Sequence, residues 1–251
     1  MNRTKIDWAD ATWNPVTGCS KYTAGCENCY AYAMACRLQA IGNERYKNGF
    51  NVTLHHQDLS EPKYEAEALL IFVCSMADLF HANVPFEFID KVMETIESTP
   101  WHTYQILTKR AERMAEYFAS RAIPNNVWLG VTVENSKVKY RIDILRNLDA
   151  PIRFLSCEPL LEDLDLLDLE NIDWVIVGGE DTNAYKARPM KKEWVLSIKE
   201  QTEKQGAMFY FKQWGVYGED GMQRDKETNG NQLDGKIYHE MPRVNRYTLF
   251  G

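Results

Sequence analysis

The stretch "NVWLGVTVENSKVKYRIDILRNLDAPIRFLSCEP" (126–159) decides the fold. It opens on a short run of Val, Trp and Leu, too short for a core-spanning helix and rich in residues that suit a strand. It passes into "VKYRIDILRNL" (138–148), where Ile142, Leu145 and Leu148 recur at helical spacing and Pro151 follows the end. It closes on "IRFLSC" (152–157), a second apolar run like the first. Two buried strands joined through a helix make a βα unit, and such strands lie parallel.

The same alternation continues in both directions. "LLIFVCSM" (69–76), "YQILTK" (104–109), "DWVIVGG" (173–179) and "MFYFKQ" (208–213) read as strands buried on both faces. "NVTLHH" (51–56) and "ATWNP" (11–15) are further short candidates. In "PFEFIDKVMETIES" (85–98) Phe88, Ile89, Val92, Met93 and Ile96 share a helical face behind Pro85. "KKEWVLSIKEQTEKQG" (191–206) ends on a C-capping Gly206. The pattern predicts an α/β fold: one domain over residues 1–251, a TIM-like parallel (β/α) barrel or partial barrel. The polar, Gly-rich segment 216–236 is expected to be a loop.

Composition sets limits on function. An apolar fraction of 45% and an aromatic fraction of 12% belong to a globular chain. A net charge of −7 excludes nucleic-acid binding through bulk charge and demands a local basic groove for any polyanion. "MNRTKIDWAD" is polar, and no apolar run approaches the roughly 18 residues of a membrane span. A cytoplasmic protein without membrane contact is the expectation.

Polar residues follow the apolar runs: Ser75, Asp78 and His81; Thr108, Lys109 and Arg110; Glu134 and Asn135; Glu158; Gly178, Gly179 and Glu180; Lys212, Gln213 and Trp214. A parallel barrel gathers all these ends on one face, where active sites sit.

The chain has six cysteines, and "GCSKYTAGCENCYA" (18–31) holds Cys19, Cys26 and Cys29, spaced C-x6-C-x2-C. Three thiols cannot all pair as disulfides, and three is one short of a closed zinc site. In a reducing compartment a cluster of this kind binds metal or reacts. A helix is expected to follow, with Tyr30, Ala33, Met34, Leu38 and Ile41 along one face. Three thiolates can hold three irons of a 4Fe–4S cubane and leave the fourth iron open. Zinc is the competing metal, but His55, His56, His81, His102 and His239 give no zinc-finger spacing. Cys36, Cys74 and Cys157 read as small buried apolar residues.

"NPVTGCSKYTAGCENCYA" (14–31) resembles the cysteine segment of radical S-adenosylmethionine proteins of the spore photoproduct lyase type. "SMADLFHANVPFEFI" (75–89) and "ILTKR" (106–110) extend the similarity. The spacing departs from that group's usual C-x3-C-x2-C, and "GGE" (178–180) comes too late to take the role of its Gly-Gly-Glu element. End to end, the chain resembles a phage- and bacterium-encoded family of uncharacterised three-cysteine proteins, through "DATWNPVTGC", "FVCSMADLFH", "ILTKRAERM", "VWLGVTVEN", "FLSCEPLL", "WVIVGGE", "RPM", "FYFKQWG" and "LDGK".

The radical-enzyme resemblance implies a 4Fe–4S cluster on Cys19, Cys26 and Cys29, S-adenosylmethionine as cofactor, an electron donor and a 5′-deoxyadenosyl radical acting on an unassigned substrate, nucleic acid among the candidates. It implies Lys109 and Arg110 for the methionine carboxylate, Ser75 and Asp78 for ribose or amino hydrogens, Tyr30 near the adenine, and Glu134, Glu158, Glu180 and Lys212 on the substrate side. Lys109, Glu158 and Glu180 are the catalytic candidates. The alternative is a non-radical Fe–S or zinc-binding module that meets nucleic acid or a protein partner through "YFKQWG" (210–215) and "RVNRYTLFG" (243–251).

Overall fold

The computed structural model describes residues 1–4, 6–182 and 186–243. In chain order come β1 (Asn2–Arg3), β2 (Ala11–Trp13), β3 (Val16–Thr17), α1 (Tyr30–Ala40), β4 (Thr53–Leu54), β5 (Leu70–Val73) and α2 (Phe86–Glu97). Then follow β6 (Thr103–Thr108), α3 (Ala111–Phe118), β7 (Val127–Thr132), α4 (Tyr140–Arg146), β8 (Ile152–Cys157), β9 (Trp174–Gly178), α5 (Lys192–Lys204) and β10 (Met208–Gln213). A short α6 (Lys226–Asn229) and the hairpin β11 (Gln232–Leu233) and β12 (Lys236–Ile237) occupy the segment expected to be a loop.

Eight strands form one sheet in the order β1-β2-β5-β6-β7-β8-β9-β10. All pairings from β2 onward are parallel, and β1 alone runs antiparallel, against β2. The order never reverses, so there is no doubly wound switch point. β1 and β10 are the open edges, which makes the sheet a partial barrel. The weaker strand candidate 51–56 contributes only the two residues of β4, and these pair with β3 outside the barrel.

Alternation along the strands separates two cores. Ile71, Val73, Tyr104, Ile106, Leu129, Val131, Leu155, Val175, Val177 and Phe209 pack with buried residues of α2 to α5. Their neighbours in sequence, Leu70, Phe72, Trp128, Phe154, Trp174, Ile176 and Tyr210, cluster on the other face around Trp8. Trp8 plugs that concave face, its ring centroid 4.8 Å from Phe72 and 6.1 Å from Trp174. Gly130 makes room within the plug: a Cβ there would lie 2.4 Å from the Phe154 ring.

Two expectations need correction. In α1 it is Ala31 and Ala35 that are buried, against Tyr46 and Met76, while Tyr30, Ala33, Met34 and Ile41 are exposed. Small residues let the helix lie close to its neighbours, so its inward face is not its most apolar one. Cys74 and Cys157 are buried as expected, but Cys36 is exposed. No helix among the described residues is long and apolar enough to cross a membrane.

Two measurements check this packing. Gly130→Ala should cost roughly 1–3 kcal/mol in denaturant unfolding by overpacking the plug, and Phe154→Leu in the same chain should recover part of the loss. His102 tests the strand start at β5. Its Nδ1 accepts from Leu69 N–H (3.2 Å) and its Nε2–H donates to Pro62 O (3.0 Å), an arrangement only the neutral ring can make. Burial lowers its pKa. The unfolded chain, with histidines titrating near about 6.5, then takes up the proton first as pH falls. Stability present above that pH is lost below it. The unfolding midpoint should drop between pH 7.5 and 5, and less so in His102→Gln.

Candidate metal centre

Cys19, Cys26 and Cys29 lie on a loop laid across the carboxyl ends of the parallel strands, and no residue from 19 to 29 is fully buried. Apolar contact cannot hold such a segment. Its entry is fixed by backbone bonds: Gly18 N–H donates to Met76 O (3.0 Å) and Cys19 N–H to Phe50 O (3.0 Å). Gly18 adopts φ +83°, and a Cβ there would lie 2.2 Å from Asn51 O, so only glycine fits this turn.

Beyond the entry, three arginine–carboxylate pairs hold the loop. The first joins Arg110 Nη1 to Asp78 Oδ2 at 3.0 Å, with both side chains buried. Asp78 also accepts from Phe80 N–H, Thr108 Oγ1 (2.7 Å) and Lys109 N–H. Fixed in this way, Arg110 reaches the loop: Nη1 lies 3.8 Å from Cys19 Sγ, and Nη2 donates to Ser20 O and Oγ, each at 3.3 Å. Its guanidinium also stands 4.8 Å from the centre of the Tyr22 ring. His81 accepts from Asn83 N–H through Nδ1, which leaves Nε2–H to donate to Ser20 Oγ at 2.7 Å. Burial pushes the Cys19 thiol pKa up and the Asp78 carboxylate adds to this, while Arg110 pulls the other way.

The second pair is wholly buried. Arg141 Nη1 donates to Glu134 Oε2 (3.1 Å) and to Thr132 O (2.7 Å), and Glu134 Oε1 accepts the Gly25 N–H at 3.3 Å. The third pair is bidentate. Arg188 donates through Nε (3.1 Å) and Nη2 (2.5 Å) to Glu180, and its backbone N–H adds a bond of 2.9 Å. Arg188 also reaches Glu27 Oε2 and Ala24 O, and Asn28 Nδ2 donates to Glu180 Oε2 at 3.1 Å. Glu134 and Glu180 therefore each hold a residue of the loop, Gly25 and Asn28 respectively.

The remaining site residues divide. Ser75 Oγ donates to Asn14 Oδ1 (3.2 Å), and the Tyr30 hydroxyl donates to Ser75 O (2.5 Å), tying the start of α1 to the end of β5. The Tyr30 ring faces outward, but its hydroxyl is covered, and burial raises its pKa. Lys212 Nζ bridges both oxygens of Glu158 at 2.6 and 2.9 Å. This pair spans Gly178 of the strand between them, where a Cβ would lie 3.3 Å from the Glu158 carboxyl. Lys109 Nζ contacts Thr132 Oγ1 at 3.4 Å and meets no carboxylate at ion-pair distance among the described residues. In "YFKQWG" the rings of Tyr210, Phe211 and Trp214 are core, not surface. Of "RVNRYTLFG" only Arg243 lies among the described residues.

Sequence reading placed the carboxylates and Arg110 at the strand ends but missed Arg141, Arg188, Asn28, Asn14 and Ser20. For Arg141 a signal existed: it lies with Ile142 and Leu145 on the buried face of its helix, and a cation on a buried face implies a buried partner. All six cysteines are free. Among the described residues no three His, Cys, Asp or Glu side chains converge closely enough to hold a single metal ion.

The class of protein this defines is a partial parallel α/β barrel with a three-thiol loop clamped over its strand ends. Residues 3–242 match the family described as "Protein of unknown function (DUF5131)", and the chain belongs to that family. No curated protein matches the chain. Among solved structures, a double mutant of spore photoproduct lyase with bound AdoMet and dinucleoside spore photoproduct aligns with a TM-score of 0.44 at 11% identity. The alignment covers 81% of this chain and 63% of that one, so the chain spans less than two thirds of that protein's length.

The clamps separate stability from positioning. Arg141→Met strands a buried carboxylate and should cost roughly 3–5 kcal/mol in chemical denaturation. Replacing both partners, Arg141→Met with Glu134→Leu, should restore most of that stability. The Gly25 amide should still exchange hydrogen faster than in the parent, because its acceptor is gone.

Proposed function

We propose that this protein is an iron–sulfur enzyme of the radical S-adenosylmethionine class, with Cys19, Cys26 and Cys29 as the three thiolate ligands of a 4Fe–4S cluster. The observation that carries the reading is the placement of three free thiols on one clamped loop over the carboxyl strand ends of a parallel partial barrel. The donor set fits such a group. Thiolates are the soft ligands a cluster takes, a guanidinium N–H points at one sulfur, and a cubane needs one thiolate per iron rather than three at a point. The resemblance of "NPVTGCSKYTAGCENCYA" to the cysteine segment of that class supports the same reading.

When bound, the cluster would supply one electron from an external donor to cleave S-adenosylmethionine to a 5′-deoxyadenosyl radical. The protein's part is to bind, orient and exclude water. Lys109 is the cation suited to the methionine carboxylate, since its ammonium is not paired with a carboxylate among the described residues. Arg110 is committed to Asp78 and the loop, so it serves the cluster side. Ser75 and Asp78 hold their own partners and shape the wall. Glu158 and Lys212, with side chains 20 and 22% exposed, are the charges suited to face a substrate.

Anaerobic reconstitution with iron and sulfide should load about four irons per chain, with the broad visible absorbance of a cluster. Single Cys→Ser changes at 19, 26 or 29 should abolish loading, while Cys36→Ser should leave it intact. Reductant and S-adenosylmethionine should then yield 5′-deoxyadenosine in a Lys109-dependent manner. Loading without nucleoside product would favour a redox or binding role, and failure to load iron would refute the reading.

A further inference from the structure

Each of the three clamps fixes the cysteine loop, but only one touches a sulfur. Arg110 Nη1 lies 3.8 Å from Cys19 Sγ, whereas Arg141 and Arg188 reach carboxylates, carbonyls and a tyrosine ring. Among the described residues, neither Cys26 nor Cys29 receives a side-chain N–H at its sulfur, so the loop is electrostatically lopsided.

We propose that Arg110 sets the reduction potential of the cluster through its N–H···S contact with Cys19. The inference rests on the iron–sulfur reading above. Its physical basis is that a hydrogen bond or positive charge at a ligand sulfur stabilises the more negative, reduced cluster and raises the potential.

The geometry suits this task better than that of a simple anchor. The guanidinium cannot swing away: Asp78 holds one end, Ser20 accepts twice from the other, and the Tyr22 ring covers it. Asp78 is itself fixed by Thr108 Oγ1 and the amides of Phe80 and Lys109. Arg110 is only 7% exposed, so solvent screens it poorly. Asp78 offsets the overall charge of the pair, and what remains at Cys19 is a directed N–H. The contact falls on one of the three proposed ligands, Cys19, and through that sulfur it acts on the potential of the whole centre.

The test compares the reconstituted parent protein with R110Q and R110K, under anaerobic conditions, by iron content and by a redox titration followed by electron paramagnetic resonance. R110Q with parental iron content and a more negative midpoint supports the proposal; parental iron with a parental midpoint overturns it. If R110Q fails to retain iron, R110K decides. A lysine variant that loads iron but titrates below the parental midpoint supports the proposal, because the directed guanidinium N–H is gone; one that loads with the parental midpoint, or that fails equally, shows Arg110 to be a loop anchor only. A parent protein that takes up no cluster refutes the underlying reading, an outcome distinct from all of these.

Discussion

The cysteine loop and the barrel mouth depend on buried charges that only each other's atoms can satisfy. Asp78, Glu134 and Glu180 are almost wholly removed from solvent. Taking an ion pair out of water costs several kcal/mol per charge unless geometry and further hydrogen bonds compensate. Here the compensation comes from the loop: Ser20 accepts from Arg110, Gly25 donates to Glu134, and Asn28 donates to Glu180. Loop and strand ends are thus a single polar unit. Because hydrogen bonds are directional and apolar contacts are not, the loop gains a definite position although none of its residues from 19 to 29 is fully buried.

That arrangement needs a floor, and the concave face provides one by changing character along each strand. Going toward the mouth at two-residue steps, Phe154 gives way to Ser156 and Glu158, Gly130 to Thr132, Leu107 to Lys109, and Tyr210 to Lys212. Below the change, Trp8 and the aromatic rings around it exclude water and keep the strand starts apart. Above it, the inward residues of these strands are polar. Below it, the buried Gln105, which donates to Trp8 O at 3.2 Å, is a polar residue within the filled end.

The sequence made the barrel legible because its strands are buried on both faces. Continuous runs such as "WVIVG" leave little choice of element, and the six longer runs each became a strand of the sheet. What escaped was short, polar or small. Two-residue β1 carries no periodicity. Helix α3 starts directly from Arg110 without a side-chain cap, at a point where the sequence reads as site rather than helix. In α1 the alanines were outweighed by larger residues that turned out to face solvent. The site was half legible for a similar reason. Carboxylates just beyond a strand announce themselves, but the arginines that meet them come from elsewhere. Arg141 lies inside a helix and Arg188 in an irregular segment, and neither spacing nor composition specifies such pairings.

The pairings also separate charges whose bonding capacity is filled from charges with capacity left. A carboxylate that accepts three or four hydrogen bonds, as Asp78 and Glu180 do, has no lone pair conveniently free for a ligand. Burial on its own would have ranked these residues as the most functional, since ion-pair networks mimic catalytic ones. Counting partners distinguishes them from the charges around them. Lys109, with a single hydroxyl contact, and the half-covered Glu158–Lys212 pair retain bonding capacity toward the mouth. The most deeply buried charges are fully engaged in holding the loop, and the less satisfied ones sit at the edge of that arrangement with hydrogen-bonding capacity left over.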